Sequence, residues 1–285
     1  MADTARSLIQ HAALAACLAL TAAAPAAAQA APLPPVVAPP PAGPEFMSRY
    51  DFHLSAVALT PPTITTADGQ STGDPRFSWD TRFGGSLDVV DYLTGRAAVL
   101  VDYQAVLGSE YRPFDPNQGN YTLEASSSVR LGGRTEIVGV FHHVSRHLSD
   151  RPKRPAVAFN TLGGRVLHRM AFAGATLDLD LDAGGIVQHS YVDYTWITEG
   201  HMLARRPLND TVGAFAHVSG QLFGVDGTVP SRGSQYGGSI EAGVRIRGGA
   251  GAIELFAGIE KRVDADPLDR RPQHWGLAGF RLLSR

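Results

Sequence analysis

The 285-residue chain is short of cysteine, of tryptophan and of any surplus charge, and each shortage removes a class of protein. Its lone Cys17 has no partner with which to close a disulfide within the chain. Lys and Arg number 25 against 27 Asp and Glu, a formal charge of −2, so no overall field favours a nucleic acid. After Phe46 there is no apolar run of about 18 residues, which excludes a spanning helix. Nothing in the sequence calls for a cofactor. The length itself fits one large domain or two average ones.

Three compositional zones are present. Residues 1–30 combine Arg6, the apolar run HAALAACLALTAAA and the small pair Ala28 and Ala30 flanking Gln29, the pattern of a secretory signal peptide cleaved after Ala30. A lipoprotein box at Leu14-Ala15-Ala16-Cys17 is the rival, but the apolar run continues past Cys17. Cleavage after Ala30 leaves a chain without cysteine, needing no disulfide in an oxidising compartment. Residues 31–46, APLPPVVAPPPAGPEF, are too proline-rich for a helix or central strand and predict an extended, solvated periplasmic linker. Residues 47–285 are a third zone with its own periodicity.

That periodicity is two. Tyr50, Phe52, Leu54, Ala56 and Ala58 alternate with polar partners, as do Tyr121, Leu123, Ala125, Ser127 and Val129 against Thr122, Glu124, Ser126, Ser128 and Arg130. In TLDLDLD, three leucines oppose Asp178, Asp180 and Asp182. Strands are predicted at about 48–60, 76–90, 96–107, 120–131, 134–146, 155–170, 175–189, 190–204, 210–223, 234–247, 251–262 and 273–284. Long connections such as GSEYRPFDPNQGN and HLSDRPKRP mostly alternate with tight turns centred on Gly132-Gly133, Ala173-Gly174 and Gly248-Gly249.

Two architectures give one apolar and one polar face per strand: a soluble sheet over a core, or a membrane barrel with lipid outside and a polar lumen. Long loops at one end and short turns at the other, an even strand number, and strands longer than the ~9–11 residues needed to cross a bilayer all favour the barrel. Over residues 47–285 the chain resembles the outer-membrane β-barrel proteins of Gram-negative bacteria. The resemblance implies an all-β, antiparallel transmembrane barrel of about 12 strands, placed in the outer membrane by its assembly machinery. One departure is the carboxyl end, where Phe280 stands before GFRLLSR finishes instead of a terminal aromatic residue. Phe77, Trp79, Phe83, Tyr191, Tyr194, Trp196, Trp275 and Phe280 are candidates for interfacial girdles.

The lumen of such a barrel includes Asp102, Glu124, Arg130, Asp178, Asp180, Asp182, Glu241 and Arg245. Three aspartates along one strand span too far to ligate one ion, so pairing with arginines on neighbouring strands is the expectation, and no metal site is assigned.

The segment FHHVSRHLSD, residues 141–150, closes the fifth predicted strand at the outer rim. If Leu131 and Thr135 flank a three-residue turn, Glu136, Val138, Val140 and His142 face inward, while Ile137, Phe141, His143 and Ser145 face lipid. His143 and Ser145 then share a face two residues apart, which suits a general base beside a serine nucleophile. This is similar to the His-x-Ser pair of outer-membrane lipid A 3-O-deacylases. The resemblance implies ester hydrolysis with Ser145 as nucleophile, His143 as base and Asp150 as the orienting acid. It covers those two residues only, for Arg146 and Val157 stand where that family carries asparagine and its acid. A basic run, Arg146, His147, Arg151, Lys153 and Arg154, would instead contact lipopolysaccharide phosphates. The leading expectation is a structural or transport barrel, a narrow pore or a lipopolysaccharide-contacting surface protein, with an acyl-ester hydrolase of lipid A or phospholipid as the alternative.

Overall fold

Alternation produces a wall with two chemically different sides. A computed structural model describes residues 35–60, 63–65, 71–148, 157–227, 232–266 and 272–284. Its strands are β1 (Glu45–Leu59), β2 (Thr63–Thr65), β3 (Ser71–Gly73), β4 (Trp79–Asp91), β5 (Arg96–Gly108), β6 (Asp115–Arg130), β7 (Thr135–Leu148), β8 (Val157–Phe172), β9 (Ala175–Ser190), β10 (Tyr194–Pro207), β11 (Val212–Val225), β12 (Gln235–Arg247), β13 (Ala252–Arg262) and β14 (Gln273–Leu283). All except β2 and β3 form one closed antiparallel barrel in which each strand pairs with its sequence neighbour. The seam runs from His53↔Leu283 to Leu59↔Leu277. Closure satisfies both edges of every strand, which hydrocarbon would not. β2 and β3 form a separate small hairpin inside the first long connection, a feature the alternation did not signal.

Twelve strands at nearly the predicted positions confirm the all-β barrel. The largest boundary difference is at β6, which begins at Asp115 because a register shift between Val106 and Leu107 lets pairing continue to Leu107↔Pro116 and Gly108↔Asp115. The connection between β9 and β10, at the long-loop end, is only Tyr191 to Asp193, with Tyr191 at φ 58°.

The wall is inverted relative to a soluble protein. Leu162 and Leu181 are 60% and 62% exposed on the outside, while Asp102, Glu136, Glu254 and Arg262 are buried within the lumen. An outer surface rich in exposed Leu, Val, Ile and aromatic side chains is stable against lipid, not water. Buried apolar side chains also occupy the lumen toward the long-loop end, with Phe77, Val106, Trp275, Leu277 and Ala265 in one cluster.

Three expected girdle residues therefore belong inside. The Phe77 and Trp275 rings lie 5.3 Å apart, and Tyr194 stacks on Phe223 at 4.3 Å. For Tyr194 the reason is a bulge between Tyr194 and Trp196 in the β10–β11 pairing, which puts two residues of nominally equal parity on opposite faces. Phe83 does lie outside, at the head of a ladder with Tyr103 and Tyr121 whose centroids are 5.2 and 5.0 Å apart. Each such contact adds about 0.5–1.5 kcal/mol beyond area burial.

Candidate functional site

At the short-turn end the lumen is latched by a segment that the sequence predicted to be solvated. Arg96 donates through Nη1 to both oxygens of Asp88 (3.1 and 3.0 Å), through Nε to Glu136 (3.1 Å) and through Nη2 to the Val36 carbonyl (2.9 Å). Glu136 in turn accepts the Ala38 backbone N–H at 3.2 Å. Val37, 4% exposed, packs with Val138, Val140 and Leu167. The physical reason is composition: Val36-Val37-Ala38 is the apolar interruption in the proline stretch, and an unpaired carbonyl and N–H there find an Arg–Glu pair. Residues 36–38 thus form a plug inside the barrel.

The middle of the lumen is cross-braced. Arg165 holds Glu124 through two bonds of 2.8 Å, with Nε 3.4 Å from Asp180 and 3.2 Å from Asp182. Asp178 is shared by Arg169 (2.6 Å) and Arg205 (3.1 Å). Across the barrel, His217 donates to Glu241 (3.2 Å), and Arg281 bridges Glu241 (2.8 Å) and Glu254 (3.0 Å), the latter also held by Arg245 (2.9 Å). Asp102 accepts from His53 (2.7 Å) and Arg82 (3.2 Å). The predicted lumen residues all point inward, and the TLDLDLD aspartates are arginine partners. Arg130 sits at the short-turn end, 2.5 Å from Asp91.

At the long-loop end residues 263–266, which follow β13, fold inward as a cap. The Ala265 carbonyl accepts from Gln118 (2.7 Å) and Arg146 (3.1 Å), while Arg76 holds Asp266 (2.9 Å). Arg232 holds Asp264 at 2.5 Å, and the Tyr194 hydroxyl bonds the same carboxylate. The hydrogen bond from Arg76 to Asp74 raises the Arg76 guanidinium above its ordinary pKa. Beneath, Arg262 is 1% exposed and joins Asp80 (2.5 Å) to Glu260 (2.8 Å) under the Trp275 ring.

Open spaces adjoin the plug. A vestibule of about 480 Å³ opens at the short-turn end, and a cavity of about 100 Å³ lies deeper, lined by His142, Arg165, Glu199 and His201 among others. Pro35 lines both, together with a third space of about 40 Å³.

Along β7 the predicted register holds: Leu131 N–H donates to Thr135 O across the turn, Glu136, Val138 and Val140 are buried inside, and Ile137 and Phe141 are exposed outside. The predicted serine–histidine pairing does not form. His143 donates through Nδ1 to Asn160 (2.6 Å), which bonds Gln188 (2.9 Å). Ser145 Oγ instead lies 2.8 Å from His147 Nε2, and the His147 ring meets Tyr121 edge-on at 5.7 Å. Residues two apart on one strand face are neighbours in both directions, and cross-strand Asn160 claims His143 first. Arg146, expected in the lipopolysaccharide-contacting run, points the other way: alternation turns it into the lumen, where it is 6% exposed and bonds the cap. Asp150, Arg151, Lys153 and Arg154 lie outside the described residues, as does the signal-peptide region.

Arg96, Arg262, Asp264 and the Val36–Ala38 segment were not singled out from the sequence. The dense run KRVDAD, residues 261–266, carried a legible hint, since so many charges beside an apolar strand need partners.

No family model matches this chain, and no curated protein matches its sequence. Its structure is similar to that of an outer membrane channel from Pseudomonas putida F1, with TM-score 0.51 and 11% identity over 82% of this chain and 94% of that one. LpxR from Salmonella typhimurium aligns at TM-score 0.47 and 7% identity, covering 82% and 99%. The Pseudomonas putida toluene transporter TodX aligns at TM-score 0.42 and 8% identity, covering 86% and 89%. The likeness to the first, joined to the closed wall and its apolar exterior, establishes the fold as that of an outer-membrane β-barrel.

Proposed function

We propose that this chain is a narrow, plugged pore of the bacterial outer membrane, passing small polar solutes when the 35–38 segment and the 263–266 cap release the lumen. The observation that carries the reading is the position of Pro35, which borders the vestibule, the deeper cavity and the third void. A barrel of about twelve strands lies between those filled by side chains and those that leave a wide channel. A lumen lined by both signs of charge suits a polar solute. Contact of the outer rim with lipopolysaccharide, through His147 and the run Arg151, Lys153 and Arg154, accompanies this reading. Planar-bilayer recording tests it, after heat-modifiable migration confirms folding. A chain lacking residues 35–44 and carrying Gln118→Ala with Arg146→Ala should conduct more than the intact chain or either change alone. Silence from all of them defeats the pore.

The 2.8 Å approach of Ser145 to His147 supports a second reading, an acyl-ester hydrolase acting at the outer rim, with His147 in place of His143 as base. Its test is mass spectrometry of lipid A from cells expressing the wild type or Ser145→Ala.

A further inference from the structure

The vestibule at the short-turn end has a lopsided chemistry. Among the described residues, Arg49, Arg169, Arg205, Arg206, Arg245 and Arg247 line it, against the single carboxylate of Asp51. The acids these arginines reach are oversubscribed: Asp178 serves both Arg169 and Arg205, and Glu254 serves both Arg245 and Arg281. Asp51 is taken by Arg49 at 2.5 Å. The Arg205 Nε is buried without a hydrogen-bond partner, and the exposed Arg206 and Arg247 have no carboxylate partner among the described residues. Elsewhere among the described lumen residues, Arg82, Arg165, Arg262 and Arg281 each meet carboxylates, and Arg146 meets the Ala265 carbonyl.

We propose that the vestibule is a binding site for a small anionic solute, a carboxylate or phosphate, held by Arg205, Arg206 and Arg247. Guanidinium groups present planar N–H pairs that match the oxygens of both anions, and a positively lined mouth concentrates anions before they enter. A volume of about 480 Å³ admits a small organic anion as readily as phosphate. Leu100, Leu283 and the Pro35-Val36 edge of the plug supply apolar wall for its carbon skeleton. The inference rests on the pore reading for the solute's route and names the class of cargo. Because Val36 both lines the site and accepts from Arg96, an anion settling there contacts the plug directly.

Calorimetric titration of the full-length folded barrel with succinate and with inorganic phosphate tests this, with glycerol as the uncharged control. Saturable binding of either anion is expected, weakened at least about tenfold in Arg206→Gln/Arg247→Gln, whose arginines hold no ion pair and whose loss leaves the braces intact. Arg134→Gln, at the same end but outside the vestibule, should bind as the wild type does. Absence of saturable binding, or equal binding by the double variant, overturns the proposal. The same guanidiniums could hold a lipid headgroup phosphate, so the titration is repeated in phosphatidylcholine vesicles with and without phosphatidylglycerol. Unchanged binding supports a solute site, and loss of binding with the anionic lipid overturns it in favour of a headgroup. The titration does not require conduction: binding without conductance removes the pore and leaves the site, whereas conductance without binding removes the site alone.

Discussion

Arg96 and Glu136 lie 3.1 Å apart on the lumen wall, and the backbone of Val36 and Ala38 closes on the same pair, one residue of the segment to each partner. A single ion pair thereby holds both β5 to β7 and the plug to the barrel. Replacing Glu136 with Gln removes the charge that Arg96 and Arg130 both face and weakens the acceptor for Ala38. Glu136→Gln should expose residues 35–44 to limited proteolysis while the barrel stays resistant. Equal protection in variant and wild type would show that the plug does not depend on this pair.

Arg262 is enclosed by Asp80, Glu260 and Trp275. Arg262→Ala removes the cation shared by two buried carboxylates, leaving Asp80 to Gln104 and Glu260 to the Trp275 indole, and breaking a buried pair in this way costs about 3–5 kcal/mol. The urea midpoint of unfolding in vesicles should fall accordingly. Adding Asp80→Asn and Glu260→Gln should recover part of the loss, because the three groups act as one network.

On the outer wall, Leu181 is 62% exposed beside the inward Asp180 and Asp182. If that wall meets hydrocarbon, Leu181→Arg costs up to about 2–4 kcal/mol in folding, diminishing toward the interfaces. A Leu181→Arg barrel that refolds into vesicles as readily as the wild type does not bury this surface in lipid.

Trp196 packs over the Cα of Gly224, filling the space where a Cβ would stand. Gly224→Ala must displace the indole, an overpacking that costs about 1–3 kcal/mol. The readout is a shift in tryptophan emission on substitution, absent when the same change is made in Trp196→Phe.

The geometry of β7 separates the histidines chemically. His143 is engaged by Asn160, whereas His147 faces Ser145. If the barrel cleaves lipid esters, activity disappears in Ser145→Ala and His147→Ala and survives in His143→Ala. The pore reading expects identical lipid A mass spectra from all four proteins.

What the sequence by itself determined is the alternation, and with it the barrel. Period two with one apolar face leaves few places to put that face, and long loops opposite short turns select lipid over a second sheet. It also made the parity of β9 legible, so Asp178, Asp180 and Asp182 read as inward groups, whereas Glu136 and His142 read as inward only if the turn before β7 held three residues, which the structure shows. Tertiary structure alone decided the partners. Which arginine meets which carboxylate depends on strand register and barrel stagger, and which side of Ser145 carries its histidine depends on Asn160, across a strand boundary. The bulge at Tyr194 and Trp196 reversed an assignment that simple alternation makes. The plug was beyond local reading for the same reason: Val37 is one apolar residue among prolines until closure of the barrel brings Arg96, Glu136 and Leu167 around it.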